Sequence, residues 1–288
     1  LLDCPRRKWN TTSMEKLQVL STEQTYSNSL QNCVKTIVKP LLDKPHLISP
    51  KETHKIFNTL ETVNKTHEAF LTELRKCLDN NREAIGTNFI NFEKEFKVNY
   101  SIYVNSYNSS VALLQKRIEE SDELANFFEG VKPENNYQEI QSILIMPVQR
   151  LPRYVLLLKD LLKHTPPKTR YHYLTKQAFE AMKNSTHFVN EEKKIAEQQH
   201  EIMEIQQALV SDGEVLVKRG RFVVKKGKLS VLNKGPINYV LFNDIILFAH
   251  ESSISKFANL IHVSVKRLKE KDRCSMQYLK IATVDGEN

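Results

Sequence analysis

The chain has 288 residues, of which 40% are hydrophobic and 26% charged, a globular mixture that argues against a disordered, collagen-like or low-complexity protein and leaves room for about two domains. Four cysteines at positions 4, 33, 77 and 274 have neither C-x-x-C spacing nor paired histidines, which argues against a zinc site or a disulfide framework and fits a reducing, intracellular compartment. The net charge of +8 is compatible with a polyanionic partner, but basic and acidic residues interleave in no single stripe, so no nucleic acid is expected.

The chain opens Leu1-Leu2-Asp3-Cys4-Pro5, with no initiator Met and no apolar leader, and reads as a segment of a longer protein. Thr12-Ser13-Met14-Glu15 has the form of a capping box and predicts the start of a first helix. Its apolar stripe continues through Val19, Tyr26, Leu30, Val34 or Cys33, Ile37 and Leu41, with Glu23 on the same face. A second helix is predicted from Ile56, Leu60, Val63, His67, Phe70, Leu71 and Leu74. A third is predicted from Phe89, Phe92, Phe96, Tyr100, Tyr103 and Tyr107 towards Leu113 and Leu114, an aromatic row read as core packing rather than as a stacking platform.

Pro147 and Pro152 stand five apart and limit the next ordinary helix to the residues after them, in the fully apolar run Val155–Leu158, which Lys159 ends far short of the ~20 residues of a bilayer crossing. Gln149, Arg150 and Arg153 put polar heads at the start of that run, either as structural groups or facing a partner. No Gly or Pro interrupts Lys168 to Asp212. One long helix of about 60 Å covers this segment, or two with a polar break near Glu191 to Lys194. Five of the seven glycines fall after residue 200, where short β-branched runs are expected as strands: Glu214 to Val217, Arg221 to Val224, Leu229 to Leu232, Tyr239 to Leu241, Ile245 to Ala249 and Tyr278 to Thr283.

The segment from Ile143 to Thr165, with Pro147-Val148-Gln149-Arg150-Leu151-Pro152-Arg153-Tyr154-Val155-Leu156-Leu157-Leu158-Lys159 at its centre, resembles the third conserved region of Dbl-homology domains, the exchange modules for Rho-family GTPases. Glu23-Gln24-Thr25-Tyr26 with Leu30 is similar to the first region, Phe70-Leu71 with Leu74 to the second, and Phe96, Tyr100 and Tyr103 fit a further family run. The form Leu151-Pro152-Arg153-Tyr154 is reminiscent of the faciogenital-dysplasia group. Gly213-Glu214-Val215-Leu216 and Tyr239 to Phe248, with Asn243-Asp244 between, resemble the first strand and a later strand pair of a pleckstrin-homology domain, whose closing Trp-bearing helix has no counterpart here.

The resemblance implies an elongated all-α helical bundle over residues 12–207 followed by a pleckstrin-homology β-barrel over 208–288, incomplete at its end. It implies exchange of GDP for GTP on a Rho/Rac-family small GTPase without covalent chemistry, cofactor or metal. Its alternative is an inactive scaffold of the same fold, which binds a GTPase or a phosphoinositide membrane. By position in the motifs, Glu23 would hold switch I of the GTPase, Arg153 and Asn190 would engage switch II, Gln149 would share that surface, and Gln138 would bear on the choice of GTPase. Lys218, Arg219, Arg221, Lys225, Lys226 and Lys228 fall where such barrels ligate phosphoinositides, although lysines there also protect strand edges. A cytoplasmic protein recruited peripherally to membranes is the expected location. Without the resemblance, Glu23, Arg153 and Asn190 read as solvated residues. A carboxylate on an apolar stripe, however, must find a partner or sit at the stripe's edge.

Overall fold

In a computed structural model, the described residues are 5–80, 84–208, 215–231, 235–250, 253–259, 263–267 and 279–283. Side chains are described over fewer positions. The chain forms two units, Leu1–Lys193 and Lys194–Asn288.

Unit 1 is helical. Helix α1, Pro5–Cys33, starts upstream of the expected capping box: Thr12 lies within it, and Pro5, whose missing N–H costs nothing in the first turn, opens it. A π-helical turn, Val34–Val38, then leads into α2, Lys39–Asp43, which has Pro40 in its first turn. The extra residue of the π turn slips the apolar stripe by one position. That is why the spacing at Cys33 and Val34 is ambiguous: Cys33 is buried, and Ile37 and Val38 are both buried after it.

Helix α3, Pro50–Asn80, begins with a capping box not anticipated from the sequence. Ser49 Oγ accepts from the Glu52 amide at 3.3 Å and donates to the Glu52 carboxylate at 2.7 Å. The expected third helix is split at Phe92 into α4, Ala84–Asn91, and α5, Glu93–Glu120. Ser121 caps α6, Asp122–Val131, by accepting from the Leu124 amide, and a short helix α7 covers Ile140–Leu144.

Helix α8, Met146–His164, runs through Pro152, against the expectation that both prolines lie before it. Pro147 occupies the first turn. Pro152 interrupts one backbone hydrogen bond, and burial of Leu151, Tyr154, Leu158 and Leu161 on both sides of it offsets the loss. Helix α9 is a single span, Arg170–Ala208, with no break at Glu191 to Lys194. One core of unit 1 collects the stripes of α1, α3, α5 and α8 together with Ala178, Met182 and Val189 from α9.

Unit 2 is a four-stranded antiparallel meander, β1-β2-β3-β4, and a separate antiparallel pair, β5-β6. Strand β1, Val223–Val231, joins two expected strands into one, paired with β2, Gly235–Phe242, across a register shift between Val223 and Lys225. Strands β3, Ile245–His250, and β6, Leu279–Thr283, lie where expected, whereas β4, Ser253–Asn259, and β5, Val263–Arg267, carry too little apolar alternation to be read in advance. The expected first strand is corrected. Glu214 lies outside the described residues, and Val215 to Val217 are not in a strand. The amides of Leu216 and Val217 donate instead to the Gln206 side chain on α9. Ile202 of α9, Leu216, Phe242, Ile245 and Leu247 form the core of this unit. Among the described residues no helix is long and apolar enough to cross a membrane.

Candidate protein-interaction site

Three helices of unit 1 meet at one buried carboxylate, and a fourth joins through His67. Glu23 of α1 has no exposed surface. Its Oε1 accepts from His67 Nδ1 of α3 at 2.6 Å, and its Oε2 accepts from Arg150 Nη2 of α8 at 2.5 Å and from the Tyr154 hydroxyl. Burial pushes this carboxyl up, but His67, Arg150 and Tyr154 together more than offset that and hold it at about 2. His67 is equally buried, with Nε2 2.6 Å from the Tyr100 hydroxyl of α5, and that hydroxyl lies 3.2 Å from the Tyr26 hydroxyl of α1. The Arg150 guanidinium sits 4.6 Å from the ring centres of both Tyr26 and Tyr154, a placement that favours the flat cation. Burial, followed by the Glu23 charge, lifts the Tyr154 phenol well above its usual range.

This geometry corrects the expectation for Glu23. Both of its carboxylate oxygens accept hydrogen bonds inside the core, and the side chain has no exposed surface in this structure. Arg150, for which the sequence left two readings, takes the internal one. His67 and Tyr100 were legible as stripe residues and Tyr154 as a motif residue, none of them as part of a cluster. The signal was present in that Glu23, His67 and Arg150 are polar groups on otherwise apolar faces of three helices, and buried polar groups must find one another.

The surface above this cluster is accessible. A cleft of about 220 Å³ between α1 and α8 is lined by Ser21, Thr22, Thr25, Met146, Gln149 and Arg153, with Tyr26 and Arg150 from the buried cluster also reaching it. Gln149 and Arg153 are exposed there. Asn190 is exposed on α9, near Phe188 in the sequence, which is also exposed. Gln138 lines a separate polar groove of about 970 Å³, together with Asn28, Asn32 and Asn135. Thr25 lines both hollows. Next to Gln138, Asn136 and Tyr137 have φ of 53° and 57°, a left-handed pair that is costly for a bulky residue, and Tyr137 is 78% exposed. The structure thus brings Gln149 and Arg153 together in one cleft, places Gln138 in a second groove and Asn190 on an exposed face of α9, and leaves Glu23 without exposed surface.

In unit 2, Arg221 is corrected as a lipid ligand. It is 8% exposed, its Nε and Nη2 donate to the Asp244 carboxylate at 2.8 Å each, and Nη1 donates to the Leu216 carbonyl. The hydrogen bonds from Arg221 hold the Asp244 carboxyl below its usual range. Asn243 completes the tie, accepting from the Phe222 amide and donating to the carbonyl of Gly220, whose φ is +80°. Lys226 is paired with Glu201 of α9 at 2.7 Å. Lys218, Arg219, Lys225 and Lys228 are exposed.

A family model described as the RhoGEF domain matches residues 17–190. Among curated proteins, the chain is 33% identical over 185 residues to guanine exchange factor for Rac 30 of Dictyostelium discoideum, covering 62% of this chain and 11% of that protein. It is 31% identical over 189 residues to Rho guanine nucleotide exchange factor 17 of Homo sapiens, covering 63% and 9%. The chain therefore spans about a tenth of the length of these relatives. Among solved structures, an apo activated truncation of Vav1 superposes with a TM-score of 0.82 at 20% identity, over 97% of this chain and 74% of that one. The DH/PH domains of PDZ-RhoGEF, solved in complex with activated RhoA, superpose with a TM-score of 0.76 at 15% identity, over 97% and 90%. These likenesses show the fold.

Proposed function

Since the chain belongs to the RhoGEF domain family, we propose that it is a guanine-nucleotide exchange factor for a Rho/Rac-type small GTPase, acting through the outer faces of α1, α8 and α9. The observation that carries this reading is the cleft between α1 and α8, where exposed Gln149 and Arg153 stand beside Tyr26 and Arg150 of the buried, hydrogen-bonded cluster. Such a surface is polar outside and rigid beneath, which suits docking of mobile switch segments without the cost of ordering the site itself.

Exchange needs no covalent step. The protein stabilises the nucleotide-free GTPase more than the GDP-bound form, so its binding and that of the nucleotide oppose one another by linkage. In this account Arg153 presents a planar five-donor fork to acceptors of switch II, Asn190 and Gln149 add neutral hydrogen bonds, and Gln138 with its groove bears on which GTPase fits. Names of relatives that include both Rac and Rho favour testing both classes.

Release of fluorescent GDP from purified Rho-, Rac- and Ras-type GTPases tests the reading. The chain is expected to accelerate release from at least one Rho or Rac member. Arg153→Ala is expected to lower kcat/KM roughly 30-fold, matching the loss of about 2 kcal/mol typical of an interface anchor, with an unchanged melting temperature. No acceleration, with GTPase binding retained, would favour the inactive scaffold.

The exposed Lys218, Arg219, Lys225 and Lys228 support a second, peripheral contact of unit 2 with a phosphoinositide membrane. Sedimentation with vesicles with and without a phosphoinositide tests it, and Lys225→Glu with Lys228→Glu should abolish the difference.

A further inference from the structure

We propose that Tyr137 is a binding anchor for the GTPase, an exposed aromatic ring held in a strained turn so that it packs on an apolar part of the partner outside the switch segments. This inference deepens the reading above and rests on it.

Residues 132–139 connect α6 to α7, and their hydrogen bonds hold Tyr137 still. The Tyr137 amide donates to the Lys132 carbonyl at 2.8 Å, and the Gln138 amide donates to the Asn135 carbonyl at 3.0 Å. Asn135 is buried and ties the turn to α1 and to the π turn after it. Its Nδ2 donates to Thr36 Oγ1 and to the Val131 carbonyl at 3.0 Å each, and its Oδ1 accepts from Asn32 at 3.1 Å. Lys132 closes the base by pairing with Glu139 at 2.6 Å. At the tip, Asn136 tolerates its φ of 53°, but Tyr137 at 57° crowds its Cβ against the backbone. Glycine would take this conformation without strain. Burial of the ring does not offset the strain, since Tyr137 is 78% exposed. Stability of the free protein therefore gives no reason for a tyrosine here, whereas a rigidly presented tyrosine is among the side chains most enriched as energetic anchors of interfaces.

Position names the occupant. Asn136 and Gln138, on either side of Tyr137, line the polar groove, and that groove shares Thr25 with the α1–α8 cleft. The two hollows thus adjoin at Thr25. A stable protein interface takes about 800 Å² from each partner, more than the mouth of a 220 Å³ cleft provides, so a GTPase with its switches at the cleft rests on neighbouring surface as well. A contact outside the switches meets surface that does not change with the nucleotide, so the ring holds the GDP-loaded and nucleotide-free forms alike. Such uniform binding lowers the half-saturating concentration without raising the maximal rate.

The test compares Tyr137→Ala, Tyr137→Phe and Tyr137→Gly in the full chain, by GDP release from its responsive Rho or Rac GTPase and by thermal melting. Tyr137→Ala is expected to raise the half-saturating concentration about tenfold with the maximal rate unchanged. It should weaken binding of GDP-loaded and nucleotide-free GTPase by the same factor, whereas Arg153→Ala narrows the difference between them. Tyr137→Phe, which keeps the ring, should behave as the wild type. Tyr137→Gly is expected to lose affinity as Tyr137→Ala does, yet to melt about 2–4 °C above that variant, because only glycine relieves the backbone. An unchanged half-saturation in Tyr137→Ala, or a loss confined to the maximal rate, would overturn the proposal, and so would a Tyr137→Gly chain no more stable than Tyr137→Ala. A wild-type chain that accelerates no GTPase would fail the exchange reading and the anchor with it. Wild-type exchange that falls in Arg153→Ala but not in Tyr137→Ala would fail the anchor alone.

Discussion

At the scale of the residue, the decisive side chain is Glu23, whose motif position points to a partner and whose burial points inward. In the structure the inward reading prevails, with three donors on its carboxylate and no exposed surface. Glu23→Ala should therefore destabilise unit 1 by about 3–5 kcal/mol, since it leaves the Arg150 charge buried without its partner; urea unfolding followed by circular dichroism measures this. Exchange lost in that variant would report unfolding, which makes Arg153→Ala the cleaner functional probe. Acid stability has a definite sign. The Glu23 carboxyl titrates at about 2 in the fold against an ordinary 4.5, so its contribution is fully present above pH 4.5 and is lost as pH falls from there through 2. Thermal melting between pH 7 and pH 2 should show a falling melting temperature below pH 4.5, and Glu23→Gln should start lower and fall less steeply across that window. A variant that tracks the wild type in parallel would assign the acid loss elsewhere.

At the scale of the element, what was legible and what was not separate by physical cause. Long periodic stripes survived: α3, α9 and the aromatic row of α4 and α5 lie where their spacing places them. Devices that change the period by one residue did not. The π turn at Val34–Val38 and the Pro152 passage through α8 are local exceptions held in place by packing, and packing is a tertiary fact. In the strands, the expected break at Lys225 to Lys228 does not occur: these residues pair in regular register with Leu241 to Asn238, and the one irregularity lies before them, between Val223 and Lys225. At the site, Gln149, Arg153, Gln138 and Asn190 were legible as positions, but their separation into a cleft, a groove and an exposed α9 face was not. The buried cluster needs residues from four helices, and no single stripe displays it. Helix contact also explains one glycine. A Cβ on Gly86 of α4 would stand 2.7 Å from the Leu174 carbonyl carbon and oxygen of α9, and backbone cannot step aside as a side chain can. Gly86→Ala should cost about 1–3 kcal/mol by overpacking, read from the urea midpoint; an unchanged midpoint would mean that α4 and α9 separate freely.

At the scale of the whole molecule, the chain has two units with separate cores, one built on the Glu23 cluster and one on Phe242 and Leu247. Membership of the RhoGEF domain family rests on residues 17–190, which is nearly the span of unit 1. Exchange is proposed for unit 1, and contact with anionic lipid for unit 2. The central claim is differential binding, because a factor that bound the GDP-loaded and nucleotide-free GTPase alike would shift no equilibrium. The most direct measurement is the dissociation constant of the chain for its responsive Rho or Rac GTPase in the two states, GDP-loaded with magnesium and nucleotide-free with chelator. The account predicts binding to the nucleotide-free form tighter by about a hundredfold or more, a preference reduced in Arg153→Ala. Equal affinity for the two forms would contradict it and leave a scaffold of the same fold.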